Sequence, residues 1–364
     1  MPSATDQFRD LGQSIWLDFI SRDLIDSGHL DELVREGMVT GLTSNPSIFA
    51  KAISGDGPYA PAFAKLSGRE LSPYDAFVEI AAVDIRDAAD ALLPVYKGSG
   101  GKDGFVSLEV PPALADDAEG TLAEAKRLNE IIDRPNLMVK VPGTAAGIAV
   151  LPQLLIAGVN TNVTLLFSPG VYRSIASAYI AGIEARVAEG LEAGGVASVA
   201  SFFVSRVDTA VDSALPDGSA LLGKAAVANA RCAYAIFLEL TGSERWKALA
   251  VKGGQVQRPL WASTSIKNPA YRDVLYVEEL IACDTVNTLP EAVIDAVRDH
   301  ADVRPTILEN LKDAKATMSA VRAAGVDLDG IMDTLLVDGL AAFSNDFDVL
   351  LERIGLKLGA ATVG

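Results

Sequence analysis

Eight short apolar segments alternate with longer helix-patterned stretches along this chain, and that alternation limits the fold more than any other feature. The segments are SIWLDFI (14–20), TGLTSN (40–45), GFVSLEV (104–110), NLMVKVP (136–142), NTNVTLLF (160–167), SVASFFV (198–204), RPLWAST (258–264) and DTVNTLP (284–290). Between them lie helical runs such as YDAFVEIAAVDIRDAADALLPVYKG and SPGVYRSIASAYIAGIEARVAEG. Strands that alternate with helices point to a parallel sheet. Eight such units predict an α/β fold, a (β/α)8 TIM-type barrel with extra C-terminal helices; an open doubly wound sheet is the alternative. PEAVIDAVRDHA and further helical patterns run on to about Ile354. No Pro/Gly/Ser-rich linker divides the chain, so residues 1–364 read as a single domain, with about 305–364 as a helical cap. The glycine-rich KGSGGKDG (97–104) has Asp103 where a phosphate loop needs Ser or Thr after its lysine, and it reads as a flexible connector.

Composition removes several function classes. A net charge of -17 leaves no basic footprint for nucleic acid or an anionic membrane, although a local Arg/Lys cluster could still hold a small anion. The start, MPSATDQFRDLG, lacks the charged-then-apolar layout of a signal peptide, and no apolar run reaches the roughly 18–20 residues of a membrane span. The expectation is a cytoplasmic protein. Cys232 and Cys283 have no metal-ligand spacing and are expected to be reduced core cysteines. The only two histidines, His29 and His300, are too few for a histidine-rich metal site and are expected at the surface or at helix ends. Monomer and homodimer both stay open.

A parallel barrel strand is buried on both faces and should be apolar throughout. These segments break that rule with a period of two, the period at which strand side chains share a face. Asp18 interrupts the first segment. Thr43 and Asn45 share a face, as do Ser107 and Glu109. Lys140 lies with Met138 and opposite Val139 and Val141. Asn160, Asn162 and Thr164 share a face; so do Ser201 and Phe203, with Arg206 just beyond. Ser263, Ser265 and Lys267 follow the seventh segment. In a barrel the outward face meets helices, so the polar set points inward, toward the strand ends where sites occur in this fold.

Lys140 has two readings. It is a structural ion pair with Asp18 or Glu109, or it is a nucleophile. A free lysine titrates at roughly 10.4. Burial disfavours the ammonium form. A neutral amine attacks a carbonyl and forms a Schiff base, and the iminium then serves as an electron sink for carbon–carbon cleavage beside it. Such chemistry needs acid/base groups, and Asp18 and Glu109 are the two inward carboxylates available.

GLTSNPSIF, NLMVKVPGT, GVNTNVTLLFS, SFFVSRVD and WASTSIKNP, in this order, resemble transaldolase over about Trp16 to Asn287. The resemblance implies a class I aldolase-type barrel of the non-oxidative pentose phosphate pathway. It would move a dihydroxyacetone unit between sugar phosphates, without metal or organic cofactor. The donors would be sedoheptulose 7-phosphate or fructose 6-phosphate, and the acceptors glyceraldehyde 3-phosphate or erythrose 4-phosphate. By the resemblance Lys140 forms the Schiff base, and Glu109 serves the carbinolamine and dehydration steps through a water held by Thr164. Asp18 takes the C4 hydroxyl proton. Asn45, Asn162 and Ser201 hold the dihydroxyacetone moiety, with Thr43 in support and Phe203 shaping the site. Arg206 and Ser265 belong to the phosphate pocket. Lys267 departs from the pattern, since many transaldolases carry a second arginine there, and a lysine brings the charge without the bidentate fork. Fructose 6-phosphate aldolase-like relatives, which release free dihydroxyacetone, are shorter and tend to carry Gln and Tyr at the positions of Glu109 and Phe203. A catalytically silent barrel serving as a binding protein is the rival from outside the enzymes.

Overall fold

Eight parallel strands close on themselves in chain order. They are β1 (Gln13–Leu17), β2 (Gly41–Thr43), β3 (Val106–Glu109), β4 (Leu137–Pro142), β5 (Thr161–Leu166), β6 (Ser198–Phe203), β7 (Arg258–Ala262) and β8 (Thr285–Leu289). β1 pairs with β8, which closes the barrel and rules out the open doubly wound sheet. The computed structural model describes residues 4–54 and 57–361; the outermost residues of the domain and cap expectations, 1–3 and 362–364, lie outside it.

The strands are shorter than the apolar segments that announce them, and what is trimmed lies at the ends that carry polar groups. β2 keeps three residues. Asn45 has left it, and its Oδ1 accepts the Ile48 N–H (3.0 Å) at the start of the helix Pro46–Ser54. β1 stops at Leu17, yet the Asp18 N–H still donates to the Leu289 carbonyl (2.8 Å), so its side chain is aimed by the ladder.

The lower barrel is a plug. Trp16 stands two residues before Asp18 on the same face, and its register partner is Gly41. A Cβ at Gly41 would come within 2.5 Å of the indole, so only glycine fits beneath that ring. The indole Nε1–H donates to Asp103 (2.7 Å), and Ser14 donates to the other carboxylate oxygen. Segment 97–104 is therefore not the flexible connector that its glycines suggest: Asp103 pins it to the barrel floor.

Helices fill the intervals, including short ones that the sequence pattern did not announce, such as Ala4–Asp10, Pro46–Ser54 and Ser205–Ala214. YRDVLYVEELI (271–281), a stretch with helical apolar spacing, holds only the helix Leu275–Glu279. Beyond β8 come Glu291–His300, Thr306–Glu309, Leu311–Ala323 and a helix of 34 residues, Leu328–Ala361, which runs past the expected end near Ile354. This last helix lies on the helices Pro46–Ser54 and Pro73–Gly98: Phe347 meets Tyr74 and Phe77 at 5.9 and 5.7 Å between ring centroids, and Leu350 and Ile354 are fully buried. Arg353 and Lys357 donate to the Ala50 and Ile53 carbonyls (3.1 Å each), near the C-terminal end of Pro46–Ser54, where cations are favoured.

The cysteine expectation needs correction. Cys232 is half-buried in a helix, but Cys283 is exposed in the loop before β8, so neither is a core cysteine. His29 opens one helix and His300 closes another, as expected. Among the described residues no helix is long and apolar enough to cross a membrane.

Candidate active site

A cavity of about 180 Å³ opens at the C-terminal ends of the strands. Register builds its floor. Glu109 on β3 pairs with Lys140 on β4, and Lys140 pairs with Asn162 on β5, so a carboxylate, an amine and an amide stand side by side. The Lys140 Nζ is 3.3 Å from Glu109 Oε2, in ion-pair range but too poorly aligned for a hydrogen bond, and it donates to the Ser44 carbonyl at 3.1 Å. The ion pair is thus present, and it is made with Glu109 rather than Asp18.

The other polar side chains hold one another in place. Ser201 donates to Asn162 Oδ1 (2.6 Å), and Asn162 Nδ2 donates to Ser107 (3.1 Å), which fixes the amide from both ends. Thr43 donates to Asp18 (2.7 Å) and lies 2.6 Å from the Thr288 hydroxyl. Thr43 has one proton and spends it on Asp18, so Thr288 must donate to Thr43. Sequence reasoning missed Thr288, although parity counted along DTVNTLP places it at the C-terminal end of β8. It also missed Phe343, which enters the cavity from the C-terminal helix.

Of the sequence-predicted set, Asp18, Thr43, Asn45, Lys140 and Thr164 line the cavity. Ser201, Phe203, Arg206, Ser265 and Lys267 line it too. Glu109 and Asn162 are not wall residues but stand directly behind it, against Lys140 and Ser201. Asn160 shares their parity yet serves the other end of β5, where it bonds the carbonyls of Pro135 and Leu137 and the Ala197 N–H.

Burial dominates the electrostatics. It pushes the Asp18 carboxyl above its ordinary value, partly offset by the Thr43 hydrogen bond and the Lys140 charge. Burial raises Glu109 likewise; the nearby Lys140 pulls it back, while the Asp18 charge pushes it further up. Two buried oxygens, Glu109 Oε2 and Thr164 Oγ1, find no hydrogen-bond partner among the described residues.

The rim is cationic. Arg206 comes from the first turn of Ser205–Ala214, directly after β6, and its guanidinium sits 5.3 Å from the Phe203 ring centroid. Desolvation disfavours its charged form, and neither Arg206 nor the exposed Lys267 makes an ion pair among the described residues. The Ser205 and Ser263 hydroxyls (3.0 Å) join this helix to the loop that carries Ser265 and Lys267. Asp208, two residues from Arg206, bonds the Ala226 N–H and Tyr276 instead of the arginine, and burial pushes its carboxyl up to about 6. Backbone strain gathers here: Leu165 and Ser263 hold φ of 62° and 55°, and the β5–β6 register shifts between Val163 and Leu166. A larger hollow of about 470 Å³ lies outside the barrel, but its two arginines are already occupied, Arg173 by Glu239 and Arg322 by Asp329.

The site is thus a buried amine paired with one carboxylate and sharing its cavity with a second, under a cationic rim at the strand ends of a closed barrel. The sequence matches the family described as Transaldolase/Fructose-6-phosphate aldolase over residues 15–354. It is 47% identical over 356 residues to a protein named transaldolase from Saccharopolyspora erythraea, covering 97% of each chain. It is 45% identical to one of that name from Thermobifida fusca over the full length of both, and 44% identical to one from Thiobacillus denitrificans over 95% of this chain and 98% of the other. The chain belongs to the transaldolase/fructose-6-phosphate aldolase family. The family match begins in β1 and ends in the long C-terminal helix, so it takes in Asp18, Lys140 and the helix that delivers Phe343.

Proposed function

We propose that the protein is a transaldolase, acting on sugar phosphates through a Schiff base on Lys140. The observation that carries this reading is the placement of the Lys140 amine: buried, 3.3 Å from Glu109, and in the same cavity as Asp18 and the cations Arg206 and Lys267. Nζ attacks the ketose C2. The carbinolamine then loses its hydroxyl as water, which needs a proton donor close to C2. Glu109 is adjacent, and burial favours its protonated form. A water bridging Glu109 Oε2 and Thr164 Oγ1 would satisfy both unpartnered oxygens; leaving one unpaired costs about 1–3 kcal/mol.

In the iminium, Asp18 removes the C4 hydroxyl proton. The C3–C4 bond breaks, the aldehyde leaves, and three carbons remain on Lys140 as an enamine until a second aldehyde is attacked. The Thr288–Thr43–Asp18 chain holds the base in position. Asn45 and Ser201 offer amide and hydroxyl groups to the dihydroxyacetone hydroxyls, Asn162 holds Ser201 from behind the wall, and Phe203 shapes the wall. Arg206, Ser265 and Lys267 receive the phosphate. Residues from about 305 onward are proposed to belong to the same domain as a cap, supported by the burial of Leu350 and Ile354 and by Phe343 reaching the cavity.

The test is transfer itself. Fructose 6-phosphate with erythrose 4-phosphate should give sedoheptulose 7-phosphate and glyceraldehyde 3-phosphate; a folded protein that consumes neither is a silent barrel. Arg206→Ala should raise KM for fructose 6-phosphate by about 10- to 100-fold, since a hydrogen bond to a charged group is worth about 1.5–3 kcal/mol. Lys267→Ala, at an exposed position, should raise it by only about two- to fivefold. KM for unphosphorylated fructose should stay unchanged in both, and a parallel rise would remove them from the phosphate pocket. Glu109→Gln should lower kcat by about 10²–10⁴-fold with KM little changed, whereas a pure KM effect would contradict its proton-transfer role.

A further inference from the structure

We infer that Phe343 decides the fate of the three-carbon intermediate, favouring its transfer over its release; this rests on the transaldolase reading above. The cavity is walled chiefly by hydroxyls and charged groups, with the Asn45 amide. Its two aromatic side chains have different surroundings. Phe203 is part of the barrel and lies between Phe167 (5.3 Å) and Arg206. Phe343 enters from outside the barrel, is only 7% exposed, and places its ring centroid 5.9 Å from the Lys140 Nζ. Nothing in the dihydroxyacetone unit calls for an apolar group there, but the intermediate does.

Once the aldehyde has left, the enamine has two courses. Its C3 can attack the acceptor aldehyde. Alternatively C3 takes a proton, water adds to C2 of the resulting iminium, and the C2–N bond breaks. Free dihydroxyacetone then leaves and the lysine amine is restored; one water is consumed and no oxidant is needed. Both courses end in water addition to C2, so the step that separates them is protonation of C3 while the acceptor is absent. A ring beside the amine keeps bulk water, the proton source, away from that carbon, and its face also attracts the iminium charge.

The position of the ring is fixed. One turn earlier Gly339 lies against the barrel, where a Cβ would stand 3.0 Å from Leu165 Cδ2 and 3.8 Å from Arg206, so a small residue lets the helix come this close. One turn later Phe347 anchors the helix on Tyr74 and Phe77.

The experiment uses the full chain and fructose 6-phosphate. It compares free dihydroxyacetone released without acceptor against transfer to erythrose 4-phosphate. Phe343→Ala should raise the release-to-transfer ratio by about tenfold, equivalent to about 1.4 kcal/mol between the two barriers, and Phe343→Leu by about threefold. If the alanine variant does not fold, the leucine variant carries the test. Phe347→Leu, which loosens the same helix away from the cavity, should leave the ratio near that of the wild type. A ratio that stays flat across the Phe343 series overturns the inference. So does a Phe347→Leu ratio as high as that of Phe343→Ala, since loosening alone would then explain it. If the wild-type protein neither transfers nor forms a reducible adduct, the transaldolase reading is what fails.

Discussion

Lys140→Ala is expected to lower kcat/KM by at least about 10⁴-fold, the scale on which removal of a covalent nucleophile acts. Among the described residues no other lysine lines the cavity floor; Lys267 is exposed on the rim. The variant should still fold, because the amine is no keystone of the core: it makes one hydrogen bond, to a backbone carbonyl, and one imperfect ion pair. Removing it leaves the buried Glu109 without the charge that holds its carboxyl down, so Glu109 should titrate at higher pH in the variant. Circular dichroism and a steady-state transfer assay on the same sample decide the matter. Activity within about tenfold of the wild type would remove Lys140 from the chemistry and leave only the ion pair.

The second large effect concerns Asp18. Asp18→Asn should lower kcat by about 10²–10⁴-fold, because an amide cannot take the C4 proton. The pH profile gives the more specific readout. Asp18 must be ionised to act, and burial holds its carboxyl above the ordinary 3.8. The wild-type rate should therefore fall on the acid side at a pH higher than an ordinary carboxylate would give, and the residual rate of the variant should lack that limb. Stability runs the opposite way. A carboxyl whose folded value is raised contributes stability that is fully present below its unfolded value and is lost as pH rises through the folded one. At neutral pH Asp18 is thus a burden, and Asp18→Asn should have a higher Tm than the wild type at pH 7, with the gain shrinking as the pH falls toward 4. A lower Tm at pH 7 would show that the Thr43 contact outweighs the desolvation.

Much of this arrangement can be read from the chain. All eight strands lie where the apolar segments are, because a strand buried on both faces must be apolar and the exceptions then stand out with a period of two. That parity alone puts Asp18, Lys140 and Ser201 on one interior. It fails where the strand ends: Asn45 reaches the cavity by capping a helix and not by alternation. Thr288 escaped notice because a threonine in a strand is unremarkable until its partner is known, and its role depends on the distance to Thr43. Phe343 is harder still. An aromatic at helical spacing reads as core, and Phe347 on the same helix is core, so only the path of the helix across the barrel distinguishes them. Segment 97–104 misled in the other direction, since its glycines suggest freedom while Asp103 accepts from Trp16 and Ser14, far away in sequence.

Reductive trapping tests the central claim most directly. The protein is incubated with fructose 6-phosphate, reduced with borohydride, digested, and the adduct located by mass spectrometry. The account predicts a reduced dihydroxyacetone adduct on the peptide containing NLMVKVPGT, at Lys140. An adduct on any other lysine, or none on protein shown to be folded, would contradict it.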